Sequence, residues 1–221
     1  MTYLVVDVET LPTERAMAEP YPELTRNPPG NFTKPETIAG WRERDRIAWQ
    51  EDRIKTYSLN PRQGRICCLG WWQEGATAVG GFTARGETDE KALLEGFWDR
   101  IASSSPLVTF NGSFDLRFIL VRAIVHGLKP PEGYQIANWF RRYSTSPHFD
   151  CRAVLTGWDD RQPGTLQDWA LAFGIPIAGP LISGSQVYEA ALAGRWNDIA
   201  AHCLDDVRIT RELYLKLATI F

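Results

Sequence analysis

Residues Tyr3-Leu-Val-Val-Asp-Val-Glu-Thr10 form an apolar, β-branched run that ends in two acids. Such a run is typical of a strand buried on both faces of a sheet. Alternate side chains of a strand share one face, so Asp7 and Glu9 are neighbours, with Cα atoms about 6–7 Å apart. Carboxylates placed together at the end of a buried strand repel each other and lose hydration unless a cation lies between them. A strand end that has already reached solvent explains these two acids equally well.

The segments after this strand predict an α/β fold in which a mixed sheet is flanked by helices. Apolar runs over 64–72 and 76–83 are typical of two strands of a hairpin, because Gly75 lies between them. Strands and helices then alternate, which favours a sheet covered by helices. The remaining predicted elements are a helix over 88–103, a strand over 106–110, a helix over 114–126, a strand over 148–151, and helices over 165–173, over 186–193 and from 197 to the C-terminus.

Residues 11–62 differ in character from the rest of the chain. The segment is polar and contains prolines at 12, 20, 22, 28, 29, 35 and 61. We predict an irregular excursion here, which contains one charged amphipathic helix over 41–57. Because the sequence contains no internal repeat, no low-complexity tract and no clear domain boundary, we predict a single domain over 1–221.

Composition and charge exclude several classes of protein. Lys plus Arg is 24 and Asp plus Glu is 27, so the net charge is −3 and nucleic acid is not bound by bulk positive charge. The four cysteines form no Cys-x-x-Cys pair, which argues against a zinc finger. No apolar run approaches the roughly 20 residues of a membrane span, and Met1 is followed at once by a strand. The expected compartment is a reducing cytoplasm.

Two further acids, Asp115 and Asp206, occur beside or among residues that the apolar pattern predicts to be buried. Asp115 follows a buried strand and lies in the first turn of a helix, where the helix dipole alone also favours an acid. In the last helix Asp206 interrupts an apolar stripe, and His202 precedes it by one turn on the same side. A structural pair between His202 and Asp206 is the alternative to a functional role.

These four acids together predict a metal site. Strand ends and helix starts of an open α/β sheet gather at its carboxyl edge, where ligands usually bind. Asp7, Glu9 and Asp115 belong to this edge by strand order, and Asp206 supplies a fourth carboxylate. Oxygen-rich sites of this kind suit Mg²⁺ or Mn²⁺.

Three short motifs carry a resemblance to a known superfamily. Asp7-Val-Glu-Thr10, Asn111-Gly-Ser-Phe-Asp115 and His202-Cys-Leu-Asp-Asp206 are similar to motifs one, two and three of the DEDD superfamily of 3′–5′ exonucleases, which have the ribonuclease H-like fold. Within it, the chain resembles stand-alone relatives of the proofreading exonuclease domain of family B DNA polymerases. Segments 149–151, 165–170, 173–176 and 184–187 also resemble that family. One departure is that His202 occupies the position of a tyrosine in the polymerase-like branch.

The resemblance implies a set of roles for these residues. It implies two ions, Mg²⁺ or Mn²⁺, bridged by Asp7 with help from Glu9, Asp115 and Asp206, and a catalytic His202 that orients or deprotonates the attacking water. It also implies contacts to the 3′-terminal nucleotide from four residues: Thr10, Leu11, Asn111 and Phe114. For Leu11 and Phe114, core packing is the stronger alternative.

The implied activity is hydrolysis of single-stranded DNA from its 3′ end, with release of nucleoside monophosphates. The alternatives are a 3′–5′ exoribonuclease of the ribonuclease D or T type, and a non-catalytic nucleic-acid-binding domain of the same fold. Arginines mixed with aromatic residues suit contacts further along a single strand. Two clusters have this composition: Arg42, Arg44, Arg46 and Arg53 form one, and Trp139, Arg141, Arg142 and Tyr143 form the other. For each cluster the alternative is an ordinary solvated or packed surface.

Overall fold

The computed structural model describes residues 2–22, 26–101, 104–179 and 182–221. Its sheet has five strands: β1 (Thr2–Pro12), β2 (Gly64–Gln73), β3 (Gly80–Thr83), β4 (Ser104–Thr109) and β5 (His148–Asp150). The strand order is β3-β2-β1-β4-β5, in which β1–β2 and β2–β3 are antiparallel and β1–β4 and β4–β5 are parallel. The first strand of the chain is therefore the central strand, as its apolar run predicts.

Eight α-helices lie in the described part of the chain. They are α1 (Glu14–Met17), α2 (Pro35–Ser58), α3 (Glu87–Ile101), α4 (Gly112–Val125), α5 (Cys151–Leu155), α6 (Leu166–Ala172), α7 (Val187–Leu192) and α8 (Trp196–Leu217), with 3₁₀ turns at Ile136–Phe140 and Gly184–Gln186. None of the helices within these residues is long and apolar enough to cross a membrane.

The two faces of the sheet are covered by different helices because the side chains of β1 alternate. Leu4, Val6 and Val8 pack into a core with apolar residues of α3 and α4. Tyr3 and Val5 pack on the opposite face with residues of α5, α6 and α8. Asp7 and Glu9 continue the second set, so the alternation of the strand directs both carboxyl groups toward the side of α8.

The predicted mixed sheet flanked by helices is confirmed, with changes at element ends. Gly75 has a φ of 89° in the turn after β2, a conformation that favours glycine, but β3 is shorter than the strand predicted over 76–83. The helix predicted over 88–103 ends at Ile101, and its last two residues lie outside the described part of the chain. Residues 180–181, between the helices predicted over 165–173 and 186–193, also lie outside it.

The excursion predicted over 11–62 contains the helix predicted over 41–57, but this helix is longer than predicted, because α2 spans Pro35–Ser58. The helix begins at Pro35, six residues before the predicted start, because proline is favoured in the first turn of a helix. Arg53 is buried, and its guanidinium lies 4.2 Å from the ring centroid of Trp49 and donates to the carbonyl oxygens of Ala16 and Glu19. Arg53 thus attaches α2 to the end of α1 and is engaged within the fold.

Candidate active site

One cleft brings together all five residues that the sequence predicts as catalytic. It has a volume of about 380 Å³ and lies beside residues 7–9 of β1, the first turn of α4 and the first half of α8. Its lining includes Asp7, Glu9, Asp115, His202 and Asp206. These residues come from three segments that are distant in sequence, so the cleft is a product of the tertiary fold.

A glycine of β2 permits the close approach of α8 to the sheet. A Cβ atom at Gly70 would lie only 3.0 Å from Cys203 Sγ and from Val207 Cγ2. The Cys203 thiol donates a hydrogen bond to the backbone oxygen of Asp7, at a distance of 3.6 Å. Because Asp206 lies one turn after Cys203 on the same helix, this contact sets the acid of α8 beside the acids of β1.

Asp115 is held in the cleft by bonds at the start of α4. The residue is 4% exposed, and its Oδ1 accepts a hydrogen bond from Val8 N at 3.3 Å. The first turn is fixed by Asp150, whose two carboxylate oxygens accept from Gly112 N at 2.8 Å and Ala153 N at 2.9 Å. Asp150 therefore joins the starts of α4 and α5 and holds Asp115 against β1.

His202 contacts the acids of two elements. Its Nε2 lies 3.4 Å from Glu9 Oε1, and the side chains of these residues are 10% and 12% exposed. One ligand atom from each of Glu9, His202 and Asp206 lies within 4.8 Å of the others. Gln167 Nε2 donates to Asp206 Oδ1 at 3.3 Å. His202 therefore lies against Glu9, whereas the structural alternative from the sequence is a pair between His202 and Asp206.

Burial and mutual repulsion disfavour the charged forms of the four acids. Burial, and then the charges of Asp115 and Asp206, raise the pKa of Asp7 well above its ordinary value. The pKa of Glu9 is raised in the same way, by burial and then by Asp206. Burial raises the pKa of Asp115 to about 8, with a further contribution from Asp150, and the pKa of Asp206 to about 7. These acids need compensating positive charge to be ionised together near neutral pH.

The imidazole of His202 is shifted toward its neutral form. Burial lowers the pKa of His202, and the charge of Asp205 opposes that shift. A neutral imidazole can bind a metal or accept a proton, whereas its protonated form can do neither.

The chemistry of the donor set fits a divalent cation. Asp7 Oδ2 is buried and has no hydrogen-bond partner among the described residues. Such an atom is costly unless a ligand or ion completes its coordination. Four carboxylates and one imidazole match the preferences of Mg²⁺ and Mn²⁺ better than those of softer metals.

The four residues predicted to contact the substrate separate into two pairs. Asn111 and Phe114 line the cleft. Thr10 and Leu11 lie in the core instead, after a register shift of β1 between Glu9 and Thr10. The Thr10 hydroxyl donates to the backbone oxygen of Ser58 at 2.6 Å, and Leu11 packs in a buried cluster beside α7 and α8. For Leu11 the structure therefore shows the packing alternative, and substrate contact by this second pair stays a prediction.

Sequence reasoning missed several residues of the site. Arg152, Gln167 and Gly184 line the cleft, and Asp150 fixes its α4 wall. Three of these four residues lie in connecting segments that resemble the exonuclease family, which could have indicated them: Asp150 in 149–151, Gln167 in 165–170 and Gly184 in 184–187. Trp139, which was predicted on a nucleic-acid surface, is instead 3% exposed in the core, with its ring stacked 6.0 Å from that of Trp98.

Comparison with known proteins identifies the family. The sequence profile of predicted 3′–5′ exonucleases related to the exonuclease domain of PolB matches residues 61–220. The chain belongs to this family. Asp115, His202 and Asp206 of this PolB-exonuclease-related protein fall within the matched residues, whereas Asp7 and Glu9 precede them. The predicted relationship to family B polymerase exonucleases is thereby confirmed.

Two individual proteins are similar to this family member. The uncharacterized protein MJ0365 of Methanocaldococcus jannaschii is 27% identical over 140 residues, which is 62% of this chain and 72% of that protein. The structure of the family B DNA polymerase from Pyrobaculum calidifontis superposes with a TM-score of 0.62 and 20% identity, covering 99% of this chain. This chain spans only 24% of the polymerase. The likeness confirms the ribonuclease H-like fold.

Proposed function

We propose that this protein hydrolyses single-stranded DNA from its 3′ end and releases nucleoside monophosphates, with two ions of Mg²⁺ or Mn²⁺. The observation that supports this most is the meeting of four acids and one histidine from β1, α4 and α8 in one cleft. Membership of a family of predicted 3′–5′ exonucleases supports the same reaction.

Asp7, Glu9, Asp115 and Asp206 would hold the ions. Asp7 lies on the central strand, its pKa is raised by burial and by the charges of all three other acids, and its oxygen Oδ2 has no partner among the described residues, which makes it the best candidate to hold an ion. Bound ions would supply an activated water and stabilise the charge that develops on the leaving 3′-oxygen. Gln167 restrains the carboxylate of Asp206 through its hydrogen bond, so this ligand is oriented before substrate binds.

His202 would accept a proton from the attacking water at Nε2. Burial favours the neutral imidazole that this role requires, and the contact with Glu9 directs Nε2 toward the acids. The alternative is that His202 only positions Glu9 and leaves the proton to solvent. These two roles predict different pH dependences.

Asn111 and Phe114 would contact the terminal nucleotide. Both line the cleft at the start of α4, and Phe114 is only partly buried, so its ring can pack against a base or sugar. Arg152 lines the same cleft and would bind a phosphate group. A paired 3′ end would have to fray before it could enter the cleft, which favours single strands.

The test uses single-stranded DNA and RNA of one sequence, each labelled at its 5′ end, in Mn²⁺ and in EDTA. The proposal predicts stepwise shortening of the DNA in Mn²⁺, release of nucleoside monophosphates, and no reaction in EDTA. Faster shortening of the RNA would favour the exoribonuclease alternative. A shift of the label in a native gel without shortening would favour a binding domain and contradict the proposal.

A further inference from the structure

We propose that a surface beside the cleft binds the part of the DNA strand that lies 5′ of the terminal nucleotide. This arginine–aromatic surface consists of Phe140, Arg141, Arg142, Tyr143, Arg152 and Trp158. The inference rests on the proposed function for the choice of ligand, but the surface is defined by the geometry of the loops around α5.

Two shallow hollows make the surface continuous with the cleft. The nearer hollow, of about 170 Å³, shares Asn111 and Arg152 with the cleft. The farther hollow, of about 430 Å³, shares Arg142 and Trp158 with the nearer one. The cleft and the two hollows are therefore adjacent, and a strand with its 3′ end among the four acids could continue along them.

The arginines of this surface keep their charge available for phosphates. Arg142 Nη2 donates to Trp158 O at 2.6 Å, and Arg152 Nη2 donates to Asp160 O at 3.1 Å, so both side chains are held by backbone carbonyls. Arg141 is exposed, and neither it nor these two forms an ion pair with a carboxylate among the described residues. Positive charge at this density attracts the backbone of nucleic acids.

Three acids that line the two hollows, Asp150, Asp159 and Asp160, offset part of this charge. Asp150 accepts from the backbone at the starts of α4 and α5, and Asp159 accepts from Arg161 Nε at 2.9 Å. Asp160 is exposed and adds one negative charge to the rim of the two hollows. With Arg161, the two hollows are lined by four arginines and three aspartates, so the surface keeps a net positive charge of one.

Exposed aromatic rings supply the second kind of contact that a site for single-stranded DNA needs, namely stacking with bases. Tyr143 is 72% exposed and Phe140 is 46% exposed. Tyr143 and Trp158 have φ values of 58° and 61°, a region that side chains other than glycine rarely adopt, and their ring centroids lie 5.4 Å apart. Trp158 is partly buried against the core and supports the exposed ring of Tyr143, and backbone strain kept at such a position is typical of a functional surface. Bases stack on such rings with little sequence preference.

The test measures binding separately from hydrolysis. Fluorescence anisotropy gives the Kd of wild type and of the double variant Tyr143→Gly/Arg141→Ala for a single-stranded DNA of about twelve nucleotides, in EDTA to prevent cleavage. Glycine is chosen because it accepts the positive φ, so the fold is retained. The matched control, Phe221→Ala/Arg85→Ala, removes an exposed ring and an exposed guanidinium outside both hollows.

The proposal predicts a Kd raised at least about tenfold in the double variant and unchanged in the control. The slope of log Kd against log salt concentration should fall by about 0.7, as expected for one lost phosphate contact. Equal affinities of wild type and the double variant, or an equal loss in the control, would overturn it.

A small substrate separates this inference from the proposed function. The p-nitrophenyl ester of thymidine 5′-monophosphate reaches only the cleft, so in Mn²⁺ the double variant should hydrolyse it as fast as wild type. A wild type that cleaves neither ester nor strand refutes the exonuclease, and the anisotropy result still decides the surface. Loss of ester hydrolysis in the double variant would show that these residues act on the cleft itself and would overturn the separate surface.

Discussion

The backbone N–H of Val8 donates a hydrogen bond to Asp115 Oδ1 at 3.3 Å, across 107 positions of the chain. Val8 lies between Asp7 and Glu9 on the central strand, so this bond fixes the acid of α4 relative to both acids of β1. The carboxylate of Asp115 is 4% exposed, and its pKa is raised to about 8, mainly by burial. The relative positions of these three acids are thus set by the fold, at the expense of electrostatic repulsion.

Replacing Asp115 separates the hydrogen bond from the charge. Asp115→Asn keeps an oxygen that can accept from Val8 N and removes the repulsion, so in EDTA its melting temperature should equal or exceed that of wild type. Asp115→Ala leaves a buried N–H without a partner and should unfold with about 1–3 kcal/mol less free energy than Asp115→Asn. Thermal and urea denaturation in EDTA give both quantities. If the two variants were equally stable, the hydrogen bond to Val8 would make no contribution to the free energy of unfolding.

The raised pKa values predict how the stability of the metal-free protein depends on pH. An acid whose pKa is higher in the folded state than in the unfolded state stabilises the fold while it stays protonated, and that contribution is lost as pH rises toward the folded pKa. With folded values of about 7 for Asp206 and about 8 for Asp115, the loss should extend from about pH 4 to about pH 8. In EDTA the melting temperature should fall over this window.

Divalent ions should reverse this loss where the acids are ionised. Mg²⁺ or Mn²⁺ should raise the melting temperature by roughly 5 °C or more at pH about 8, and by less at pH about 5, because protonated carboxylates bind metal poorly. The double variant Asp115→Asn/Asp206→Asn serves as control and should show a flatter pH dependence and a smaller metal effect. Identical behaviour of wild type and this variant would contradict a shared metal site.

His202 should determine how the rate of hydrolysis depends on pH. If it accepts the proton of the water, its neutral form is the active one, and activity falls as pH drops through a pKa that burial lowers from its ordinary value of 6.5. His202→Asn should then lose about 100-fold in rate and also lose this acid limb at saturating Mn²⁺. His202→Tyr should retain part of the activity, because tyrosine occupies this position in the polymerase-like branch. An unchanged pH profile in His202→Asn would show that His202 only positions Glu9.

A buried ion pair outside the cleft joins the two helices that cover one face of the sheet. Glu90 of α3 is fully buried, and its Oε2 lies 2.7 Å from Arg122 Nη2 and from His126 Nε2, both at the end of α4. Glu90→Gln leaves the buried guanidinium of Arg122 without its counterion. This change should lower the free energy of unfolding by about 3–5 kcal/mol.

An exposed pair on the same helix provides the matched control. Glu95 lies 3.7 Å from Lys91, and both side chains are about half exposed. Glu95→Gln should change the free energy of unfolding by less than about 1 kcal/mol. Urea denaturation measures both variants, and similar losses in the two would mean that burial does not govern the strength of the Glu90 pair.

The sequence predicts the acids of the site because charge interrupts an otherwise apolar pattern. Asp7 and Glu9 close an apolar strand, and Asp206 lies among buried residues of α8, so each is conspicuous in the sequence itself. The meeting of Asp7 and Glu9 with Asp115 is predicted from the carboxyl edge of the sheet, whereas the place of Asp206 depends on the close approach of α8 to Gly70 of β2. The roles of these residues as ligands stay a prediction.

The walls of the cleft could not be predicted in the same way. Polar residues give no signal in segments that are polar throughout, and this applies to Asp150, Arg152 and Gln167. Only the path of the chain after β5 brings these residues to the cleft. The register shift between Glu9 and Thr10 likewise depends on how β1 pairs with β2, not on local residue preference. The sequence predicts a shorter helix than α2 because several prolines precede it and argue against helix, although Pro35 lies at the start of the helix, where proline is favoured.

We propose that the acids of the cleft carry out metal-dependent hydrolysis at a 3′ end. The most direct measurement compares single-turnover cleavage of 5′-labelled single-stranded DNA in Mn²⁺ by wild type, Asp7→Asn and Asp206→Asn. Asp205→Asn is the control, because this adjacent acid is paired with Arg208 at 2.8 Å. We expect one-nucleotide shortening by wild type, a loss of at least about 100-fold in both site variants, and a rate within a few-fold of wild type in the control. Comparable cleavage by Asp7→Asn and wild type would contradict the account.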